Sequence, residues 1–395
     1  MATLTAFMAA LALAAPLHWR AALDRTPKIA PPSPTARAVL SCPMPDGRLA
    51  DPDRTLGTDP RSDPRMVAAF VPFGLDGPLP LPPLSVDSPL EERLAFVAAV
   101  EEKFGAIVDT LAQALPVAEG VTSTTVTIAG GGGNDLTLYV SRPADTDGPL
   151  PGVVHLHGGG MAFLSAADST FVRGRENLAT TGLVVVGVEF RNSAGKLGVH
   201  PYPAGLNDCA AAIRWVSANR EDLGVSHLIV SGESGGGNLT LAVTHKAKRE
   251  GWLHEIAGVY AQCPFISNRW LEQPDDLPSL KENDGYLFSC LQLALLGSVY
   301  DPTGENATDA TCWAGVATDA DLTSLPPHVI SVNELDPLRD EGLVYYRRLL
   351  RAGVSAVGRV VAGTCHGGDL LGGGAMPDVY AASLRDVSGF AKSVG

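Results

Sequence analysis

The seven residues "GESGGGN", Gly232 to Asn238, place a single serine among four glycines. The apolar run "HLIVS" precedes them, and the helix-like stretch "LTLAVTHKAK" follows. Glycine loses more backbone freedom on folding than any other residue, so four glycines in seven positions need a structural reason. A strand-to-helix turn too tight for side chains supplies that reason, because such a turn also exposes the serine at its tip. We therefore predict a G-x-S-x-G turn that presents Ser234.

Apolar strand runs alternate with helical stretches around this turn. The runs with strand character are "GVVHLH", "LVVVGVEF", "HLIVSG", "IAGVYAQCP", "HVISVNEL" and "AVGRVVAG". Continuous apolar strands that alternate with helices indicate a mostly parallel sheet covered on both faces. Upstream of them, "TTVTIAGGGGNDLTLYVSRP" predicts two strands joined by a glycine-rich turn. The predicted fold class is therefore α/β, with a mostly parallel central sheet flanked by helices.

Two segments depart from this alternation. Residues 1–120 contain the proline-rich stretches "APPSP" and "GPLPLPPLSVD", followed by a long helical pattern for which Ser88 and Glu91 predict a capping box. Residues from about 266 to 320 are too many for a simple connection between strand and helix. We predict that residues 1–120 form an N-terminal cap and wrapping region. Residues 121–395 then form the catalytic domain, and the insertion at about 266–320 adds to the cap.

Glycines that follow predicted strand ends suggest a site for a developing negative charge. In open parallel sheets, ligands bind at the carboxyl ends of the strands. The run "HLHGGGM" places Gly158, Gly159 and Gly160 directly after one such strand, where N–H groups can turn inward with no side chain in the way. A flexible loop is the alternative for these three glycines taken alone. We predict that they form an oxyanion hole with Gly235, which follows Ser234.

Two later strand ends supply an acid and a base. In "NELDPLRDEG", Asp336 ends the strand, whereas Asp340 and Glu341 suit the first turn of the next helix, where their charge favours the helix dipole. In "VAGTCHGGDLL", His366 is the only one of nine histidines downstream of Asp336. The order Ser234, Asp336, His366 is that of a nucleophile, an acid and a base in hydrolases. His366 would take the serine proton, and Asp336 would hold the imidazole in the correct tautomer.

The motifs together resemble a known family. "HGGGM", "GESGGGN", "DPLRDEG" and the late "CHG" resemble the hormone-sensitive-lipase-like branch of the α/β-hydrolases, and the resemblance covers most of the chain after about Val121. It implies a carboxylesterase with an α/β-hydrolase fold and a helical cap. The residues that match the family's triad and oxyanion glycines are Ser234, Asp336, His366, Gly159 and Gly160. Gly235 stands where the family often has alanine, and "EFRNSAGKLG" replaces the usual "D-[YF]-R-L-A-P-E" segment.

These observations predict a serine esterase. It would hydrolyse short- to medium-chain carboxylic esters through an acyl-enzyme, with lactones left open as substrates. A lipase and an acyltransferase would share the same catalytic residues and stay alternatives. A non-catalytic small-molecule receptor is disfavoured, because the receptors of this family lack the triad histidine and His366 is present. No cofactor or metal is predicted, since no His, Cys and Asp set has ligand spacing.

The net charge and the N-terminal sequence restrict which partners are expected. The formal net charge of −14 argues against nucleic acid and against an anionic membrane surface. The predicted partner is a small-molecule ester, and a homodimer is left open. The apolar N-terminal run "MATLTAFMAALALAAPLHW" lacks a basic start and is too short to span a bilayer, so we expect no stable membrane insertion. A cytoplasmic location is expected, with secretion or membrane association through the N-terminus as the alternative.

Overall fold

A computed structural model describes residue 51 and residues 53–146 and 148–395. In this part of the chain eight strands form one sheet, in the order β1-β2-β4-β3-β5-β6-β7-β8. The strands are β1 (Val121–Ala129), β2 (Asp135–Pro143), β3 (Leu150–Leu156), β4 (Val184–Val188), β5 (Val225–Glu233), β6 (Gly258–Gln262), β7 (His328–Asn333) and β8 (Ala356–Val361). The pairs β1–β2 and β2–β4 are antiparallel, and the other five pairs are parallel. The predicted α/β class and mostly parallel sheet are confirmed.

Twelve α-helices lie in the described residues. They are α1 (Pro64–Phe70), α2 (Leu90–Ala112), α3 (Ser169–Ala179), α4 (Ala204–Ala218), α5 (Arg220–Leu223), α6 (Gly235–Glu250), α7 (Ser279–Glu282), α8 (Cys290–Tyr300), α9 (Asp319–Leu322), α10 (Arg339–Arg351), α11 (Gly368–Leu371) and α12 (Pro377–Ser393). None of them combines the length and apolarity needed to cross a membrane. The N-terminal run examined in the sequence lies outside the described residues.

The continuous apolar runs become strands because both faces of the sheet are covered. All five residues of β4 and all six of β7 are buried. Helices α3 and α12 pack on one face, where Val153, Ile229 and Tyr260 belong to their hydrophobic cluster. Helices α6 and α10 pack on strands of the same sheet, α6 on β5 and β6 and α10 on β7 and β8. The buried sheet therefore holds the residues that follow its strand ends in fixed positions.

The glycine-rich turn before the parallel strands is a hairpin connection, as predicted. Strands β1 and β2 pair along their full length, from Val121 opposite Pro143 to Ala129 opposite Asp135. The N–H of Gly130 donates to the Asn134 carbonyl at 2.7 Å and closes the turn.

The start of α2 differs from its prediction. The helix begins at Leu90 with Pro89 in the N-cap position, and no side chain caps it. The hydroxyl of Ser88 instead accepts from the N–H of Ser85 at 3.1 Å, so it is already engaged in the preceding turn and the predicted capping box does not form.

Two described segments of the predicted cap, residues 53–120 and about 266–320, lie in one compact unit with the sheet. The described residues from 51 onward belong to this unit, and β1 begins at the predicted boundary with Val121. Helix α2 packs against α8 of the insertion and against α3. Arg93 of α2 donates to the Ser298 carbonyl of α8 at 2.7 Å. The division of the chain into a cap region and a catalytic domain stays a prediction.

Candidate active site

The turn between β5 and α6 holds Ser234 in a strained backbone conformation. Ser234 has φ 57° and ψ −118°, a combination that non-glycine residues rarely adopt. Its N–H donates to the Gln262 carbonyl at 2.9 Å, and its own carbonyl accepts from Asn238 at 3.0 Å. A Cβ at Gly236 would lie 1.9 Å from the Leu156 carbonyl oxygen, so the turn can sit on β3 only because that position is glycine. The predicted strand-turn-helix setting of Ser234 is confirmed.

Ser234, His366 and Asp336 come together at the carboxyl edge of the sheet. His366 Nε2 lies 2.8 Å from Ser234 Oγ, and His366 Nδ1 lies 2.8 Å from Asp336 Oδ2. The other carboxylate oxygen of Asp336 accepts from the N–H of Leu338 at 2.9 Å. Asp336 is fully buried and His366 is 5% exposed. Ser234 follows β5, Asp336 follows β7 and His366 follows β8. The order of the strands therefore brings His366 next to Ser234 and Asp336, which lie 132 and 30 residues from it in the chain.

The predicted glycines lie beside the serine but are not equivalent. Gly159 and Gly160 have positive φ angles of 104° and 61°, and their N–H groups make no hydrogen bond within the described residues. A Cβ at Gly235 would lie 2.6 Å from the nitrogen of Gly160, so the two loops approach closely where the family often has alanine. Gly158 differs from the others, because its N–H donates to Glu233 at 2.8 Å. It is therefore engaged within the protein.

Glu233, the residue before the serine, connects the turn that carries Ser234 to the glycine loop, Gly158 to Gly160. One of its carboxylate oxygens accepts from Gly158, and the other lies 2.9 Å from His155 Nε2. Burial alone would raise the pKa of Glu233, but the charge and hydrogen bonds of His155 and Gly158 lower it below its usual value. Glu233 is therefore ionised, and its two hydrogen bonds hold the glycine loop against β5. The acid at this position was visible in the motif, but its role was not predicted.

The "EFRNSAGKLG" segment, residues 189–198, supports the same loop from behind. Ser193 and Ala194 donate backbone N–H groups to the carbonyls of Met161 and Ala162, at 2.9 and 3.0 Å. The amide of Asn192 donates to the Leu164 carbonyl at 2.6 Å. The segment that departs from the family pattern therefore braces the loop that carries Gly159 and Gly160.

Glu101, a buried acid of α2, links this helix to the glycine loop and to the segment 189–198. Glu101 accepts the N–H of Leu164 at 2.9 Å and the N–H of Lys196 at 2.6 Å. It is 7% exposed. Helix α2 is thereby attached both to the glycine loop and to the segment that supports it. Sequence reasoning missed Glu101, because its partners lie 63 and 95 residues away.

The two acids that follow Asp336 attach the insertion to the sheet. Both lie in the first turn of α10, as predicted. In addition, Asp340 accepts the N–H of Ser279 at 2.7 Å. Glu341 accepts the N–H of Ile266 at 2.6 Å and the indole N–H of Trp270 at 3.2 Å. Their main partners are therefore residues of the insertion, a role that helix-dipole reasoning did not reveal.

A cavity opens beside Ser234 and encloses about 1210 Å³ of empty space, its mouth to solvent included. Cap segments contribute apolar residues to its lining, namely Phe104, Val108, Phe288, Leu293 and Leu296. The ring of Phe288 meets the His366 imidazole edge-on, with centroids 5.5 Å apart. Further lining comes from α3 and α12, including Arg175, Leu178, Tyr380 and Leu384. The site therefore suits a largely apolar ligand.

Within the described residues, one group of side chains has the spacing of a metal site. The potential ligand atoms of Cys263, Asp336 and His366 all lie within 4.8 Å of one another. Burial, reinforced by the charge of Asp336, raises the pKa of the Cys263 thiol well above its usual value, whereas metal binding requires the thiolate. Both other members already hydrogen-bond each other. The arrangement therefore favours proton transfer over metal binding.

Known proteins share this arrangement of elements. Residues 153–369 match the family model described as alpha/beta hydrolase fold. The solved structure of brefeldin A esterase, described as a bacterial homologue of human hormone-sensitive lipase, is 46% identical, with a TM-score of 0.86. The match covers 88% of this chain and 98% of that one. The structure of esterase Est22 is 38% identical over 86% of this chain and 99% of its own, with a TM-score of 0.76.

A curated relative points the same way. The carboxylesterase NlhH of Mycobacterium tuberculosis is 33% identical over 234 residues, which are 58% of this chain and 70% of the relative. The matched region of the family model contains Ser234, Asp336 and His366.

Proposed function

We propose that Ser234 is the nucleophile of this chain, which belongs to the α/β-hydrolase fold family, in its hormone-sensitive-lipase-like branch, and is a carboxylic ester hydrolase. The observation that carries the proposal is the position of His366, which lies 2.8 Å from both the Ser234 hydroxyl and the Asp336 carboxylate. A serine hydroxyl needs such a base, because it is a weak nucleophile at neutral pH.

The reaction proceeds in two acyl transfers. His366 Nε2 accepts the Ser234 proton as Oγ attacks the ester carbonyl, and Nδ1–H donates to Asp336, which stabilises the imidazolium. The imidazolium then protonates the leaving alcohol, which departs and leaves an acyl-enzyme on Ser234. Water attacks this ester with His366 again as the base, and the carboxylic acid leaves as Ser234 regains its proton.

The oxyanion of each tetrahedral intermediate binds to backbone N–H groups. We assign Gly159, Gly160 and Gly235 to this role. The N–H groups of the first two have no acceptor in the described residues, and Gly235 is the first residue of α6, so no helical carbonyl precedes it to accept its N–H. Gly158 belongs to the same loop but acts indirectly, since its N–H bonds to Glu233. The N-terminal end of α6 adds positive potential at the same point.

The apolar lining supports short- to medium-chain esters as substrates. Aromatic and aliphatic cap residues surround the space beside Ser234 and offer few hydrogen-bonding groups there. Brefeldin A should be tested with linear esters, because a relative with 46% identity bears its name.

A partitioning experiment tests the acyl-enzyme. Ethyl, phenyl and p-nitrophenyl butyrate are hydrolysed in the presence of a fixed concentration of butanol, and butyl butyrate and butyrate are quantified. A common acyl-enzyme predicts the same ratio of the two products from all three esters. A ratio that depends on the leaving group would contradict a shared intermediate. An excess of transfer over hydrolysis at low butanol would identify an acyltransferase.

A further inference from the structure

Arg175 is a buried cation whose hydrogen-bonding capacity is only partly used. It lies on α3, is 3% exposed and lines the cavity beside Ser234. Its Nη1 donates to the Ala166 carbonyl at 2.7 Å, and its guanidinium carbon lies 5.3 Å from the centre of the Tyr139 ring. Its Nε is buried and has no hydrogen-bond partner within the described residues. No carboxylate of that part of the chain forms a salt bridge with it.

The sheet is shaped to receive this side chain. A Cβ at Gly187 of β4 would lie 2.7 Å from Arg175 Nε, so glycine leaves the space that the guanidinium occupies. Gly187 pairs with His155 of β3, and His155 pairs with Ser231 of β5. Both partners line the same cavity. The guanidinium therefore lies over a row of the sheet that ends three residues before Ser234.

A buried donor without a partner costs free energy, and the cost is larger for a charged group. Burial lowers the pKa of Arg175 to about 10, so the guanidinium is still charged at neutral pH. Native structures pair almost all such groups. The side chain of Arg175 lines the substrate cavity, and its buried, unused Nε is therefore a candidate donor for a bound molecule.

The charges around Arg175 select a neutral acceptor over an anion. The carboxylates of Glu189 and Glu233 act on the guanidinium through space and favour its charged form. Glu233 also lines the cavity, so a ligand carboxylate near Arg175 would meet a negative charge of the protein. A keto or hydroxyl oxygen can accept from Nε without adding charge.

We propose that Arg175 is a specificity-determining residue that donates a hydrogen bond to a neutral keto or hydroxyl oxygen carried by the ester substrate. This inference rests on the proposed esterase function of the same cavity. The preferred substrates are then oxygenated esters, with the acceptor some distance from the scissile bond, and purely aliphatic esters are poorer.

Matched ester pairs test the proposal. One series consists of p-nitrophenyl esters of straight-chain acids and of their keto analogues, with the ketone moved outward from the γ carbon so that the reactivity of the ester changes little. A second series places the ketone in the alcohol portion. The readout is the ratio of kcat/KM between the keto ester and its aliphatic partner. For the wild-type protein we expect this ratio to exceed about tenfold at one position of one series.

Substitution assigns the preference to one side chain. Arg175→Met should bring the ratio to about one, and Arg175→Lys should retain part of it, because lysine keeps a charged donor without the guanidinium geometry. Arg173→Met on the same helix is the control and should leave the ratio unchanged.

Several outcomes would overturn the inference. These are a wild-type ratio near one at every position, a preference that survives in Arg175→Met, or faster hydrolysis of esters with a distant carboxylate than of keto esters. A wild-type ratio near one overturns the inference without any variant, and Arg175→Lys gives the second readout if Arg175→Met fails to fold. Failure of the proposed esterase function would look different, because neither member of any pair would then be hydrolysed.

Discussion

The carboxyl edge of the sheet and the cap segments, residues 53–120 and 266–320, meet at Ser234 but are built differently. At the edge, short hydrogen bonds join buried polar groups, as in the 2.8 Å contacts of His366. The cap segments contribute apolar rings and aliphatic side chains to the cavity, among them Phe104, Val108 and Phe288. The edge of the sheet holds individual polar atoms in fixed positions, whereas the cap segments enclose the apolar part of the cavity.

This difference follows from what each region has to do. Proton transfer and oxyanion binding require atoms within hydrogen-bond distance of the reacting groups, so only a few residue types serve at a given position. Apolar enclosure depends on the area removed from water, so many combinations of residues serve. Changes at the edge should therefore affect kcat, whereas changes in the cap should affect the choice of substrate.

The two acids Asp336 and Asp340 give the largest expected contrast. Asp336→Asn should lower kcat by roughly 10⁴-fold, because an amide at that position favours the wrong tautomer of His366. Asp340→Asn should leave kcat near the wild-type value and lower the free energy of unfolding by about 1–2 kcal/mol, since the amide weakens the bond to Ser279 of the insertion and loses the ion pair with Arg339. Steady-state kinetics and denaturant unfolding measure the two effects. If Asp340→Asn lost activity and Asp336→Asn lost only stability, the roles assigned to these two acids would be wrong.

The same division explains what the sequence could predict. Ser234, Asp336 and His366 each follow an apolar strand run, so local patterns place them at one edge of the sheet. The six strand runs and the hairpin were predictable for the same reason. The α/β class needed only their alternation with helices.

The remaining contacts depend on residues distant in the chain. Glu341 bonds to Ile266, 75 residues away, and nothing near Glu341 in the sequence marks this partner. The acceptor of Gly158 was equally hidden, since Glu233 lies 75 residues downstream. The capping box at Ser88 failed for a related reason, because a competing turn occupied the hydroxyl. Tertiary packing determines which partner each of these groups has, so the local sequence does not predict it.

Glu341 gives a pH test of the link between the two regions. Its burial raises the pKa from the ordinary 4.5 to about 7, although hydrogen bonds from Ser267 and Ile266 act in the opposite direction. The folded protein then binds more protons than the unfolded chain between these values, so stability should fall as the pH rises from 4.5 to 7. At about 1.4 kcal/mol per pKa unit, the loss approaches roughly 3 kcal/mol.

The measurement is the free energy of unfolding across that pH range. Glu341→Gln should remove this part of the pH dependence, whereas the exposed Glu272→Gln, also in the insertion, should keep it. A Glu341→Gln protein with the wild-type slope would exclude Glu341 as its origin.

Glu233 tests how far the edge depends on its support. Glu233→Ala should lower kcat by roughly tenfold to hundredfold with a smaller change in KM, because the glycine loop loses an anchor while the N–H groups proposed to bind the oxyanion remain. Glu233→Gln is the matched control and should recover most of the rate, since its amide oxygen can still accept from Gly158. Equal losses in the two variants would indicate that the charge, and not the anchor, matters.

Phe104 tests the cap by itself and should give the smallest effect. Its ring lines the cavity and contacts Phe163 and Phe288. Phe104→Ala should raise KM for a medium-chain ester by about tenfold, or ~1.4 kcal/mol, and hardly affect an acetate ester. Lys103→Ala on the same helix is the control. A uniform loss of kcat across chain lengths would contradict the assignment of specificity to the cap.

We propose that the edge residues act together when an ester acylates Ser234. Covalent labelling with a p-nitrophenyl alkylphosphonate, followed by peptide mass spectrometry, tests it most directly. We predict one adduct per chain, located on Ser234, and labelling that is slower by roughly 10³-fold or more in His366→Ala. Labelling at the wild-type rate in His366→Ala, an adduct on another residue such as Cys263, or undiminished ester hydrolysis by Ser234→Ala would contradict the claim.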